Sequence, residues 1–371
     1  MDKRGRLLAL DQLRGTLIIL MALDHANFHI AHQHSSGEYW GGVFPSFSTP
    51  GHFLTRFVTH FCAPGFFFLM GISMVLFASA RRKKGWKEKQ IRLHFLLRGL
   101  FLIALQQLLN FGGIWSLPGS PGPLWYGGVL AALGFTMILS LLLLKVHPRC
   151  LLLISVLLFL GVEALTPGPA AWGKGLYQLP GVLLVHGGGW GNFWVNYPLL
   201  AWLEVTVFGL YFGKLIEKGE NQAFRSGGTL GLLFLAGFAI IRVLNGFGNI
   251  RPLPLSSWMG FLSVVKYPPS MAYVLLTLGC NLILLWLLSC FQNGRLGDKN
   301  PLLVFGRTAL FSYVSHILIY ILLGRLITPS GSSLGVMYLL WLVGLGILYP
   351  LADWYGKFKA QQGPRSWVHF L

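Results

Sequence analysis

The residues most able to do chemistry are a few ionisable side chains set inside apolar runs. Asp24 and His25 lie near the end of the first run, Arg56 and His60 stand four apart in the second, and His316 follows Ser312 and Tyr313 in a late one. An ionisable group in hydrocarbon is costly, so it faces a bundle interior and tends to mark a site or pathway. Imidazole titrates near neutral pH, and a neighbouring carboxylate fixes its tautomer and raises its basicity. Asp24, His25, His60 and His316 are therefore candidates for general acid–base chemistry. Asn196-Tyr197-Pro198 and Lys266-Tyr267-Pro268 stand just before two later runs. With Arg56, the residues Asn196, Tyr197, Lys266 and Tyr267 form the candidate substrate-binding set, although such rings also serve as interfacial anchors.

These residues need a scaffold, and the composition supplies it. The chain has 371 residues, 54% apolar and 11% charged, with a mean hydropathy of +0.63. Soluble domains carry about twice that charged share, which excludes a soluble enzyme, a disordered chain and a fibrous repeat. Apolar runs long enough to cross a bilayer occur at roughly 7–30, 53–80, 93–111, 125–146, 150–166, 198–216, 228–247, 269–291, 302–327 and 335–355, separated by Pro- and Gly-rich breaks. The fold expected is an all-α polytopic membrane bundle of about ten helices, forming a single domain over residues 1–371.

The net charge of +18 follows from topology. Placing the N-terminus in the cytoplasm puts 20 of the 29 Lys and Arg on that side, seven of them in 81–92, and only Lys174, Arg251 and Lys266 on the other. The positive-inside rule then puts both termini in the cytoplasm, and the cytoplasmic (inner) membrane is the expected location. Basic loops beside anionic lipid headgroups account for the charge without a nucleic-acid partner. Under this topology Asp24, His25, Arg56, His60, Asn196, Tyr197 and Lys266 all project to the outer third of the membrane and His316 to about halfway, as an outward-facing cavity would require.

Other readings stay open at this point. His25, His29 and His32, at i, i+4 and i+7, could ligate a metal from one helix face, but the eleven histidines include no adjacent pair and no metal is expected. A proton-coupled small-molecule transporter would use the same Asp, His and Arg residues. Cys62, Cys150, Cys280 and Cys290 lack zinc-site or CxxC spacing and read as buried structural thiols. Gly209 and Gly213 suit close helix packing, within the chain or in a homodimer.

Five segments, taken in order, resemble a known family: LDQLRGTLIILMALDHANF (10–28), FCAPGFFFLMGISMVLF (61–77), NYPLLAWLEVTVFGLYFGKL (196–215), KYPPSMAYVLLTLG (266–279) and PLLVFGRTALFSYVSHILI (301–319). They are similar to bacterial relatives of the heparan-alpha-glucosaminide N-acetyltransferase catalytic domain, within the transmembrane acyltransferase superfamily. The resemblance covers nearly the whole chain, and the LDxLRG...DH opening is its most specific part. It implies transfer of an acetyl or other short acyl group from a cytoplasmic acyl-CoA, such as acetyl-CoA, to an amine or hydroxyl of an extracytoplasmic sugar or glycan.

The resemblance also implies a histidine acting at or just beyond the lumenal end of the first helix. His25 matches it, with His32 and His34 as alternatives. Where the family commonly has Pro-Trp, this chain has Ala201-Trp202. In the mechanism expected, His25 is the base, Asp24 orients its ring, and His60 or His316 stabilises the oxyanion or holds the acceptor. Arg14, Arg98 and Arg307, in the cytoplasmic halves of their helices, are candidates for the phosphates of the donor, because guanidinium pairs bidentately with phosphate. Snorkelling to lipid headgroups is their alternative role, and for Arg14 an i, i+3 ion pair with Asp11.

Overall fold

The computed structural model describes residues 7–33, 38–41, 47–111, 123–251, 257–291, 297–363, 366 and 368. His34 and the basic residues Lys3, Arg4, Arg6, Arg295 and Arg365 lie outside them. The helices are α1 (Leu8–His29), α2 (Pro50–Thr59), α3 (Cys62–Lys83), α4 (Glu88–Phe111), α5 (Val129–Ser140), α6 (Pro148–Leu165), α7 (Leu199–Lys218), α8 (Glu220–Leu244), α9 (Trp258–Leu262), α10 (Met271–Cys290), α11 (Pro301–Arg307), α12 (Ala309–Ile327) and α13 (Leu334–Gln361). Among the described residues, eight helical stretches are long and apolar enough to cross a membrane, the first of them being α2 and α3 taken together. α1 reaches spanning length with 22 residues but carries Asp11, Arg14 and Asp24. This is the polytopic all-α bundle expected.

Three predicted spans differ in detail, each for a local reason. The span predicted over 53–80 is stepped between α2 and α3. Pro64 has no N–H to give the carbonyl of His60 four residues earlier, and that carbonyl instead accepts the hydroxyl of Tyr273 on α10 at 2.9 Å. The span over 302–327 breaks at Thr308, whose φ of −120° and ψ of 32° are not helical. The span over 125–146 opens as a strand, β1 (Trp125–Gly127), before α5 begins, and α5 continues past Ser140 as i→i+3 turns to Val146. Of the thiols expected to be buried, Cys62 is; Cys280 is half-buried, and Cys150 and Cys290 are exposed.

β1 joins β2 (Gly188–Trp190) and β3 (Phe193–Val195) in a small sheet of order β1-β3-β2, parallel between β1 and β3 and antiparallel between β3 and β2. The sheet delivers Asn196 and Tyr197 to the start of α7. At the other end of the bundle, Glu88 of α4 bonds Arg82 of α3 at 2.6 Å and lies 3.5 Å from Lys145, beyond α5. With the Lys and Arg residues of 81–92, this is the basic end of the bundle.

α1 is the element that positions the site, because it lies against α11 and α12 almost backbone to backbone. A Cβ on Gly306 would sit 1.8 Å from the Asp11 carbonyl oxygen, and one on Gly324 would sit 2.1 Å from that of His29. Only glycine permits such an approach. α3 meets α7 in the same way at Gly71 and Gly209.

Candidate active site

Deep in the seam between α1 and α12, His25 and His316 hydrogen-bond directly. The Nδ1 of His25 lies 2.7 Å from Nε2 of His316, and the rings stack at 4.9 Å. The Nδ1 of His316 lies 2.7 Å from the carbonyl oxygen of Ser312, which can only accept. In the neutral pair, His316 therefore carries its proton on Nδ1 and accepts through Nε2. His25 then donates from Nδ1 and keeps its lone pair on Nε2. A histidine thus fixes the tautomer of the buried His25. His32, beyond the helix, is exposed.

The carboxylate beside His25 belongs to a second cluster. Asp24 accepts from Nη1 of Arg56 and, at 3.0 Å, from the hydroxyl of Thr59. Nε and Nη2 of Arg56 fork onto the two oxygens of Glu38, and the Nε2 of His60 lies 3.0 Å from the same carboxylate. Glu38, on the segment between α1 and α2, is 3% exposed. Its burial alone would raise its pKa, but Arg56 and His60 together hold the carboxyl well below its ordinary value of 4.5. The guanidinium of Arg56 is committed to protein carboxylates and Thr59.

The remaining loop residues converge above this cluster. The carbonyl of Glu38 accepts the N–H groups of Lys266 and Tyr267 at 3.1 and 3.2 Å, and Tyr39 stacks on Tyr267 at 4.7 Å. Tyr197 lies edge-on to Tyr267 with ring centres 5.6 Å apart. Burial pushes the phenols of Tyr197 and Tyr267 up, and that of Tyr39 up to about 12, so all three remain hydrogen-bond donors at neutral pH. Lys266 is buried, with its ammonium 5.1 Å from the Tyr267 ring centre. Among the described residues it makes no ion pair. Asn196 acts as a hub: its oxygen accepts from Tyr39 (2.8 Å) and Trp194 (2.6 Å), and its nitrogen donates to the Tyr126 hydroxyl (2.8 Å).

On the basic side of the histidine pair lies a cavity of about 440 Å³. Arg14, Arg98 and Arg307 all line it, joined by Lys359 of α13. Its walls are apolar, from Met21 and Ile18 of α1, Phe66 and Met70 of α3, and Leu133 and Met137 of α5. Arg14 bonds Asp11 (2.9 Å) and Ser73 (3.1 Å), and Arg307 bonds Asp298 (3.3 Å). Arg98 differs: among the described residues it makes no hydrogen bond or ion pair, and its Nε is buried. The cavity reaches Tyr313, whose ring lies 6.1 Å from His25 and 5.6 Å from His316. A cationic floor, apolar walls and a phenol below an imidazole base suit an elongated ligand with phosphates at one end and a reactive carbonyl at the other.

The structure thus sorts the expected residues into three groups: Arg14, Arg98 and Arg307 around the cavity; His25 with His316; and Asp24, Arg56 and His60 with Asn196, Tyr197, Lys266 and Tyr267 nearby. Sequence reasoning missed Glu38, Tyr313 and Lys359 as members. Glu38 and Lys359 gave no signal, since each reads as an ordinary loop or helix-end charge. Tyr313 did, three residues before His316 on the same face. Residues 6–241, more than half of the chain, match the family model described as heparan-alpha-glucosaminide N-acetyltransferase, catalytic. None of the curated proteins matches the chain.

Proposed function

Because the chain belongs to the heparan-alpha-glucosaminide N-acetyltransferase catalytic family, we propose that it transfers an acetyl or other short acyl group from cytoplasmic acyl-CoA to an amine or hydroxyl of an extracytoplasmic sugar or glycan. The observation that carries this reading is the cavity lined by three arginines and by Tyr313, whose ring lies against the His25–His316 pair. Residues 14 to 25 of one helix cover about 16 Å, a distance suited to an extended pantetheine arm. Family membership favours this reading over the transporter.

Arg98, with Arg14, Arg307 and Lys359, binds the donor's phosphates inside the cavity, which the donor enters from the basic end, facing the cytoplasm together with both termini. The apolar walls hold the arm and keep water from the thioester. Nε2 of His25 takes the proton of the acceptor amine or hydroxyl as that atom bonds the acyl carbon. The C–S bond then breaks, and the proton passes to the departing thiolate. His316 has both ring nitrogens engaged, so its part is to hold His25 in the Nδ1–H tautomer. The hydroxyl of Tyr313 donates to the carbonyl oxygen as charge develops there. The acceptor approaches from the opposite end, past Tyr197, Lys266 and Tyr267.

The test is free-thiol release from acetyl-CoA by the purified protein in detergent, with and without a pool of amino sugars and glycans. Acceptor-dependent release is expected, falling ~10²- to 10⁴-fold in His25→Ala, the range for loss of a general base. Release that is absent with every pool, or unchanged in His25→Ala, refutes the reading.

A further inference from the structure

Glu38 occupies an unusual position for a loop carboxylate. Both its oxygens are taken by the fork of Arg56, and one of them also lies 3.0 Å from Nε2 of His60. A carboxylate can only accept, so Nε2 of His60 carries a proton, and in the neutral ring Nδ1 then carries a lone pair. That Nδ1 is buried and has no hydrogen-bond partner among the described residues. A buried acceptor without a donor costs free energy that a ligand N–H or O–H would recover. The same residue extends its influence in two further directions. Through Arg56 it is tied to Asp24, next to His25 on α1. Through its carbonyl it sets the register of Lys266 and Tyr267.

We propose that Glu38 is a positioning residue of the acyl-acceptor side. It fixes His60 in the Nε2–H tautomer so that Nδ1 receives a hydrogen bond from an O–H or N–H of the acceptor other than the proton taken by His25, and it holds Arg56 against Asp24. This role acts through other side chains, since the Glu38 oxygens are already taken by Arg56 and His60. The inference rests on the acyl-transfer reading for its kinetic test, and has a second readout that does not.

The kinetic test compares wild type, Glu38→Gln, Glu38→Asp, His60→Gln and the Glu38→Gln/His60→Gln double variant in detergent, by thiol release from acetyl-CoA. Glu38→Gln should lower kcat/KM for the acceptor at least about tenfold, in keeping with loss of a charge-assisted hydrogen bond, while KM for acetyl-CoA stays unchanged. Glu38→Asp should recover part of the loss, and Glu38→Gln should add little in the His60→Gln background. Acceptor kinetics like wild type in Glu38→Gln, equal loss for donor and acceptor, or a full additional loss without His60 would each overturn the proposal.

The second readout is the ¹⁵N spectrum of histidine-labelled protein, with His60 assigned by its absence in His60→Gln. The Nε2–H tautomer is expected in wild type and a mixture in Glu38→Gln; the same tautomer population in both overturns the proposal. Should wild type release no thiol, the acyl-transfer reading fails, and the spectrum still decides whether Glu38 sets His60.

Discussion

Arg98→Met should weaken the donor without harming the fold. Arg98 is the cavity cation with no protein partner among the described residues and a buried, unpaired Nε. Its removal breaks no ion pair and takes an unpaired charge out of an apolar wall. A hydrogen bond to a charged group contributes about 1.5–3 kcal/mol, so losing one guanidinium–phosphate contact should raise KM for acetyl-CoA roughly 10- to 150-fold. The melting temperature in detergent should stay level or rise. S-acetyl-pantetheine, which lacks phosphates, provides the control: its KM should be nearly the same in wild type and variant. An equal loss with both donors, or a fall in melting temperature that accounts for the lost activity, would show that Arg98 supports the fold and does not bind phosphate.

Tyr313→Phe should lower kcat by ~10²- to 10³-fold with little change in KM for the donor, as for other oxyanion donors; unchanged kcat removes the hydroxyl from the mechanism. Gly324→Ala places a Cβ 2.1 Å from the His29 carbonyl oxygen. Overpacking of this kind costs about 1–3 kcal/mol, so the melting temperature and thiol release should fall together, whereas Gly346→Ala, at an exposed helical position with open space around it, should leave thiol release unchanged and the melting temperature level or slightly raised. The carboxyl of Glu38 is held below its ordinary value in the fold, so its stabilising contribution is complete above the unfolded value of about 4.3. That contribution is lost as pH falls through the lower folded value. Melting temperature should therefore drop more steeply below about pH 4 in wild type than in Glu38→Gln; parallel profiles would contradict the assignment.

The bundle was legible because hydrocarbon demands about twenty apolar residues per pass, and each predicted run falls on a helix, a stepped pair or, over 125–146, a short strand leading into a helix. The convergence of Asp24, Arg56 and His60 with the Lys266–Tyr267 segment at one level of the bundle was legible too, since distance along a helix converts directly to distance along the bundle axis. The histidine pairing was not. His25 and His316 are 291 positions apart, and only the glycine seam between α1 and the α11–α12 pair brings them together. Glu38 was hidden because a carboxylate in a loop ordinarily stays in water, and its burial depends on Arg56 arriving from another element. Asn196 was legible as important, but its amide proves to be spent mainly on Tyr39, Trp194 and Tyr126.

The step between α2 and α3 has a consequence for how force moves through the bundle. A continuous helix is stiff along its axis, so a push on its outer end travels to its inner end. At the Pro64 step, the carbonyl of His60 is held by the Tyr273 hydroxyl of α10, and that of Phe61 accepts from Asn281 of the same helix at 3.0 Å as well as from Gly65. The load on α2 is thereby shared sideways with α10 before it reaches α3. Rearrangement around Arg56 and His60 can then be absorbed above the step, while the α3 wall of the arginine-lined cavity keeps its shape.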